Sequence, residues 1–136
     1  MSTIDPHAAL VYTMMIVSAA EGEISDKELD AIGRLVRHLP VFQGFDPERL
    51  IPLGSDCAEL LRREDGLDQA LEQIRDGLPP KLRDTAYALA CDVAAADNKV
   101  TQEELRLLEM LRHQIGVERL TAAAIEKAAG ARFARL

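Results

Sequence analysis

The sequence predicts an all-α protein, folded as a single-domain bundle of about seven helices. Apolar residues recur at helical spacing along the chain, and no segment shows the alternation of a half-buried strand. Hydrophobic residues make up 48% of the chain but aromatic residues only 4%, so we expect a core of aliphatic side chains. A chain of 136 residues is long enough for one such core and short for two.

Clear start and stop signals define the first two helices. Asp5-Pro6 places an N-cap before a proline at the first helical position, and the helix is expected to run to about Ala20. Gly22 is predicted to end it in a left-handed conformation. Ser25 and Glu28 then form a capping box for helix 2. The predicted buried stripe of helix 2 comprises Leu29, Ile32, Leu35, Val36 and Leu39.

Proline and glycine separate the next elements. Pro40 ends helix 2, and residues 41–45 form an apolar loop that we expect to fold back on the core. Asp46-Pro47 opens helix 3 in the same way as the N-terminus. Pro52 interrupts this segment, so a kink or a short lead-in turn is expected before the helix restarts near Ser55. Helix 4 follows between Gly66 and Gly77.

The C-terminal half predicts three more helices. Helix 5 starts near Pro80 and ends before Asn98, which is predicted to take the left-handed role of a C-cap. Thr101 and Glu104 repeat the capping box for helix 6. Gly116 ends helix 6, and helix 7 covers about 118–129. The predicted buried stripe of helix 6 comprises Leu105, Leu108, Leu111 and Ile115.

Two segments of the chain resemble each other. Residues of about 8–39 correspond to about 84–115, and the two predicted helices of about 47–78 lie between them. Identity concentrates in the turns and on the expected buried faces, with the pairs Ala19/Ala95, Ala20/Ala96, Glu28/Glu104 and Leu29/Leu105. We therefore expect two helix-turn-helix units related by approximate two-fold symmetry.

Net charge limits the classes of function that this protein can have, and the cysteines indicate its cellular compartment. A net charge of −7 argues against nucleic-acid binding and against docking on anionic lipid. Cys57 and Cys91 are isolated in apolar segments, which predicts buried free thiols in a reducing compartment. The apolar run 8–20 is too short to span a bilayer and lacks the pattern of a signal peptide, so we expect a cytoplasmic protein without membrane insertion.

The two acidic turns are the candidate functional elements. From Gly22 to Glu28 the spacing matches the second half of a calcium-binding EF-hand loop. The first half does not match, because Val17 and Ala19 stand at ligand positions, so a standard EF-hand is excluded. Oxygen ligands of this kind suit Ca²⁺, Mg²⁺ or Mn²⁺. The carboxylates available are those of Glu21, Glu23, Asp26, Glu28, Asp97, Glu103 and Glu104.

Helix capping is the alternative explanation for much of this pattern. Glu28 and Glu104 are each accounted for as the third residue of a capping box. Glu21 and Asp97 are not, because both follow predicted helix C-termini, where a negative charge opposes the helix dipole.

The repeated turn resembles that of the TerB-like tellurite-resistance family, a domain type also found at the N-terminus of the DjlA co-chaperones. The resemblance depends on the alanine-rich helix end, the acidic residue, Gly22 or Asn98, and the Ser/Thr–Glu capping box, and it covers about 8–125. It implies a cytoplasmic stress-response protein with divalent-cation sites. Carried over to this sequence, the implied ligands are Glu21, Glu28, Asp97 and Glu104. The sequence departs from the family pattern at Glu21, where Asp is usual, and at Asn98, where Gly is usual.

Catalysis is not expected from this sequence. The three histidines are isolated, and no phosphate loop, nucleophile elbow or zinc spacing is present. Two functions remain open: a stress-response module that binds a divalent cation at the twin turns, and a metal-independent adaptor for a protein partner. Neither requires an organic cofactor.

Overall fold

The computed structural model describes residues 3–20, 22, 24–97 and 99–136. Those residues form seven α-helices and no β-strand, which confirms the predicted fold class. Three short 3₁₀ helices, Pro40–Phe42, Pro47–Arg49 and Pro80–Leu82, precede or join them. The α-helices are α1 (Pro6–Ser18), α2 (Asp26–His38), α3 (Leu50–Leu61), α4 (Gly66–Gly77), α5 (Arg83–Ala95), α6 (Gln102–Ile115) and α7 (Arg119–Arg132).

Helix α1 lies at the centre of the bundle. Every residue from Ala8 to Ser18 is buried, and the helix packs against α3, α4, α5 and α6. A helix that is apolar on all sides is stable in this position because neighbours cover each face. Its two aliphatic hydroxyl groups are satisfied within the helix: Thr13 donates to the carbonyl of Ala9 at 2.8 Å and Ser18 to that of Met14 at 3.0 Å.

Helix α5 is the second central element, and it interlocks the two helix-turn-helix segments. It packs against α1 and α7, and also against α2 and α6. Helix α2 thus contacts the first helix of the other segment, and α6 likewise contacts α1. One hydrophobic core draws residues from all seven α-helices. The two-fold relation between the segments remains a prediction.

Several local predictions are confirmed at the helix ends. Asp5 caps α1 by accepting the Ala8 amide at 2.9 Å, and Pro6 is its first residue. Gly22 (φ +96°) and Gly116 (φ +75°) are both left-handed. The first helix ends at Ser18, slightly earlier than expected. The predicted left-handed Asn98 lies outside the described residues.

The apolar loop after α2 folds back on the core as predicted. Phe42 and Phe45 are buried, and their rings pack edge to face. The His7 ring stacks on Phe42, and its Nε2 donates to the carbonyl of Val41 at 2.8 Å. His7 therefore has a structural role that attaches this loop to α1.

The predicted short lead-in turn of helix 3 is present as the 3₁₀ helix Pro47–Arg49, but the predicted restart near Ser55 is wrong. Helix α3 begins at Leu50 and continues through Pro52, without a restart near Ser55. Pro52 is the third residue of α3, in the first turn, where backbone amides have no acceptor within the helix. Its missing N–H therefore removes no hydrogen bond of α3.

The predicted burial of Leu29 and Leu105 is also wrong. Their exposed fractions are 47% and 49%, whereas the preceding glutamates, Glu28 and Glu104, are buried. Consecutive residues of an α-helix are separated by about 100° around its axis. Because the glutamate of each capping box occupies the inward position of the first turn, the leucine that follows it points outward.

Candidate functional site

Two capping boxes form the frame of the candidate site. In the first, Ser25 Oγ accepts the Glu28 amide at 3.1 Å, and Glu28 Oε1 accepts the Ser25 amide at 3.1 Å. In the second, Thr101 Oγ1 accepts the Glu104 amide at 3.2 Å, and Glu104 Oε1 accepts the Thr101 amide at 3.1 Å. Both predicted boxes are confirmed, and each fixes its glutamate at the start of a helix.

The two capping glutamates come together in the folded chain. Glu28 and Glu104 are each only 4% exposed, and within the described residues no other charged residue is buried. The Glu28 side chain lies within hydrogen-bonding reach of Glu104. A contact between two acidic groups from distant turns places like charges side by side in a poorly hydrated site.

Burial and the neighbouring Glu28 change the protonation of Glu104. Burial, followed by the hydrogen bond and negative charge of Glu28, raises the pKa of Glu104 from 4.5 to about 7, although the Thr101 amide acts in the opposite direction. Two ionised carboxylates in one buried site are unfavourable, so Glu104 is partly protonated near neutral pH unless a cation compensates the charge.

One oxygen of each carboxylate is not used by its cap. The capping bonds of both glutamates use Oε1. In the part of the chain that the structure describes, Oε2 of Glu28 and Oε2 of Glu104 take no part in either capping box. A hard cation between the two groups would therefore reach a carboxylate oxygen from each turn without disrupting either cap.

Asp97 is close enough to Glu104 to act on it electrostatically. Its negative charge also raises the pKa of Glu104. Asp97 is half-buried, and its Oδ1 accepts the Lys99 amide at 3.1 Å. Helix capping does not explain Asp97, but this bond gives Asp97 a local structural role in the turn that follows α5.

The predicted set of four ligands is brought together only in part. Glu28 and Glu104 meet, and Asp97 acts on Glu104 through its charge. Glu21 lies outside the described residues. Within the described ranges, no group of three or more histidine, cysteine, aspartate or glutamate side chains is arranged to hold a metal ion. The residues present thus supply a carboxylate pair, and a complete coordination shell requires further ligands.

A groove along α6 was not predicted from the sequence. It has a volume of about 570 Å³, and α5, α6 and α7 form its walls. Exposed Leu105 and Val100 lie along it, with Arg112 and Arg119 also lining it. One signal was present in the sequence: α6 carries more apolar residues than one helix face can bury, namely Leu105, Leu107, Leu108, Met110, Leu111 and Ile115.

Comparison with known proteins identifies one family. Residues 7–127 match the family model described as "Tellurite resistance protein TerB". The matched range includes both turns, all of α2 to α6, and α1 apart from its first residue, Pro6. Comparisons with curated proteins and with solved structures gave no match.

Proposed function

Because this chain belongs to the TerB family of tellurite-resistance proteins, we propose that it is a non-enzymatic, cytoplasmic stress-response module that binds a divalent cation at its paired turns. Glu28 and Glu104 are the central ligands, and Glu21 and Asp97 are the additional acidic ligands. No organic cofactor takes part. Among the described residues, no helix has the length and apolar character needed to cross a membrane.

One observation supports this proposal above the others: the buried contact between Glu28 and Glu104. Without a cation, such a contact lowers the stability of the folded chain, because burial and like charge both oppose ionisation of the carboxylates. A divalent cation removes that cost by compensating both negative charges. Ca²⁺, Mg²⁺ and Mn²⁺ are the candidates, since they prefer carboxylate oxygens.

Binding at this position would link the two helix-turn-helix segments. Glu28 lies in the first turn of α2 and Glu104 in the first turn of α6. A cation held by both carboxylates stabilises the arrangement in which these helix starts are adjacent. Ion concentration would then set the stability of that arrangement, by preferential binding to the folded state.

The test is calorimetric titration of the chain with Ca²⁺, Mg²⁺ and Mn²⁺, together with the Glu28→Gln and Glu104→Gln variants. Glutamine keeps a capping box intact while removing the charge. We expect each variant to lose about tenfold or more in cation affinity. Glu103→Gln is the matched control, because this neighbouring residue is exposed and the same charge is removed.

Proton release gives a second readout of the same site. Because the pKa of Glu104 is raised to about 7, cation binding should release more protons at pH 6 than at pH 8. Titrations in buffers of different ionisation enthalpy measure this number. The proposal is overturned if saturating cation produces no heat and leaves the amide signals of both capping boxes unchanged, or if Glu104→Gln binds the cation with wild-type affinity.

A further inference from the structure

The groove beside α6 is apolar along one part of its length. Val100 and Leu105 are 44% and 49% exposed, and both line the groove. Its volume of about 570 Å³ lies within the range of ligand-binding clefts. Apolar residues also form its floor, among them Ala94, Leu108 and Ala122. The fold thus leaves an apolar surface uncovered inside a concave site.

The other end of the groove is positively charged. Arg112 lies in the last turn of α6, and its Nη1 donates to the Val117 carbonyl at 3.2 Å, which holds the guanidinium at this end. Arg119 is the first residue of α7 and is exposed. Among the described residues, the ion pairs involve other arginines and neither of these two. In a chain of net charge −7, two such arginines form a local site for an acidic group.

Two glutamates also line the groove, and they restrict where an acidic group can bind. Glu126 already accepts a hydrogen bond from the buried Tyr87 hydroxyl. Glu109 lies on α6 between Leu105 and Arg112 and would repel a carboxylate in the middle of the groove. The favourable position for a ligand carboxylate is therefore the end formed by the two arginines.

Side-chain contacts fix two of the helices that form the walls of the groove. Tyr87 of α5 bonds to Glu126 of α7, and Asp92 of α5 pairs with Arg132 of α7. These contacts hold α5 and α7 side by side along the groove. A ligand can therefore enter without a preceding rearrangement of these helices.

We propose that this groove binds an amphipathic helix of a protein partner, with apolar side chains against Val100 and Leu105 and a carboxylate at Arg112 and Arg119. Leu105 and Arg112 are two helical turns apart, about 10 Å along α6. The partner helix is accordingly expected to carry apolar residues three or four positions apart, and Asp or Glu about two turns from the first of them. The groove shares no residue with the carboxylate pair, so this inference is independent of cation binding.

A synthetic alanine-based helical peptide tests the proposal. It carries two leucines four positions apart and two glutamates two turns from the first leucine, and a fluorophore reports binding by anisotropy in the presence of EDTA. We expect the peptide to bind the wild-type chain and to shift the amide signals of Leu105, Arg112 and Ala123. A second peptide, with lysines in place of the glutamates, should bind about tenfold more weakly.

Two matched pairs of variants locate the site. Arg119→Glu should weaken binding of the acidic peptide about tenfold and improve binding of the lysine peptide. Lys127→Glu, the same charge change on α7 outside the groove, should leave the preference for the acidic peptide intact. Ala123→Gln places a larger side chain in the groove and should weaken binding, whereas exposed Ala124→Gln lies outside it and should not.

Four results would overturn the inference. They are absence of peptide binding to the wild-type chain, equal binding of the two peptides, and equal effects of Ala123→Gln and Ala124→Gln. The fourth is a shift of the groove amides with protein concentration or with decanoate, combined with no response to the peptide. That result would assign the groove to a second copy of the chain or to a small apolar acid.

Discussion

Glu28 and Glu104 belong to separate capping boxes, yet their side chains meet in one buried site. Each glutamate is held by its own cap through Oε1. Local hydrogen bonding thus fixes the two carboxylates, and the packing of the helices brings them together. Burial, together with the neighbouring Glu28, raises the pKa of Glu104 to about 7.

The first prediction concerns pH. The pKa of Glu104 is raised from 4.5 to about 7, so between these values the folded chain holds a proton that the unfolded chain has lost. The contribution of Glu104 to stability is present below pH 4.5 and is lost as the pH rises through about 7. In the absence of divalent cations, we expect the unfolding free energy to fall by about 1 to 3 kcal/mol over this window, measured by urea denaturation.

Glu104→Gln isolates this effect. Glutamine preserves the capping box but does not titrate, so the variant should lose most of the pH dependence and be more stable than the wild type at pH 8. Glu103→Gln should retain the wild-type profile. An unchanged slope in Glu104→Gln would show that another group is responsible.

The second prediction concerns the caps. Thr101→Ala should lower the unfolding free energy by about 1 kcal/mol, because the Glu104 amide loses its acceptor. Thr101→Ser retains a hydroxyl and should lose little. Thr121→Ala changes a threonine whose hydroxyl bonds to exposed Glu118, and its effect should stay within about 0.5 kcal/mol. Chemical denaturation compares the three variants, and equal effects at positions 101 and 121 would contradict the assigned cap.

The third prediction concerns two glycines with opposite surroundings. A Cβ at Gly66 would lie 2.1 Å from the Leu60 carbonyl oxygen, so Gly66→Ala requires the backbone to move. We expect destabilisation of about 2 kcal/mol or more. Gly130 in α7 has open space at its Cβ, and Gly130→Ala should stabilise the chain by about 0.5 to 1 kcal/mol. Thermal unfolding measures the melting temperature of both variants. Equal shifts in melting temperature would contradict the close approach at Gly66.

The fourth prediction concerns the thiols, which are free and buried as expected from the sequence. Burial raises the pKa of Cys57 and of Cys91 to about 12. Because the thiolate is the reactive form, neither should react with iodoacetamide in the folded chain at pH 8, and both should react in urea. Ser55→Cys places an exposed thiol on the same helix as Cys57 and serves as the reactive control. Rapid labelling of the folded wild type would contradict the described burial.

The local features of this protein could be predicted from the sequence. A capping box depends on two residues three positions apart, so the Ser25–Glu28 and Thr101–Glu104 boxes follow from neighbouring side chains alone. The same is true of the helix start at Asp5-Pro6 and of the left-handed Gly22. The resemblance of the turns to the TerB family also depended on these short-range patterns, and residues 7–127 match that family.

What the tertiary structure decided depends on contacts between distant segments. Helical periodicity places Leu29 and Leu105 on apolar stripes. It does not show which part of a stripe a neighbouring helix covers, and both residues are exposed. The groove that Leu105 lines exists only because α5, α6 and α7 are packed together. The meeting of Glu28 with Glu104 likewise requires α2 to pack on α5 and α6 on α1. Local hydrogen bonds identify the carboxylates of the candidate site, and only long-range packing makes them a pair.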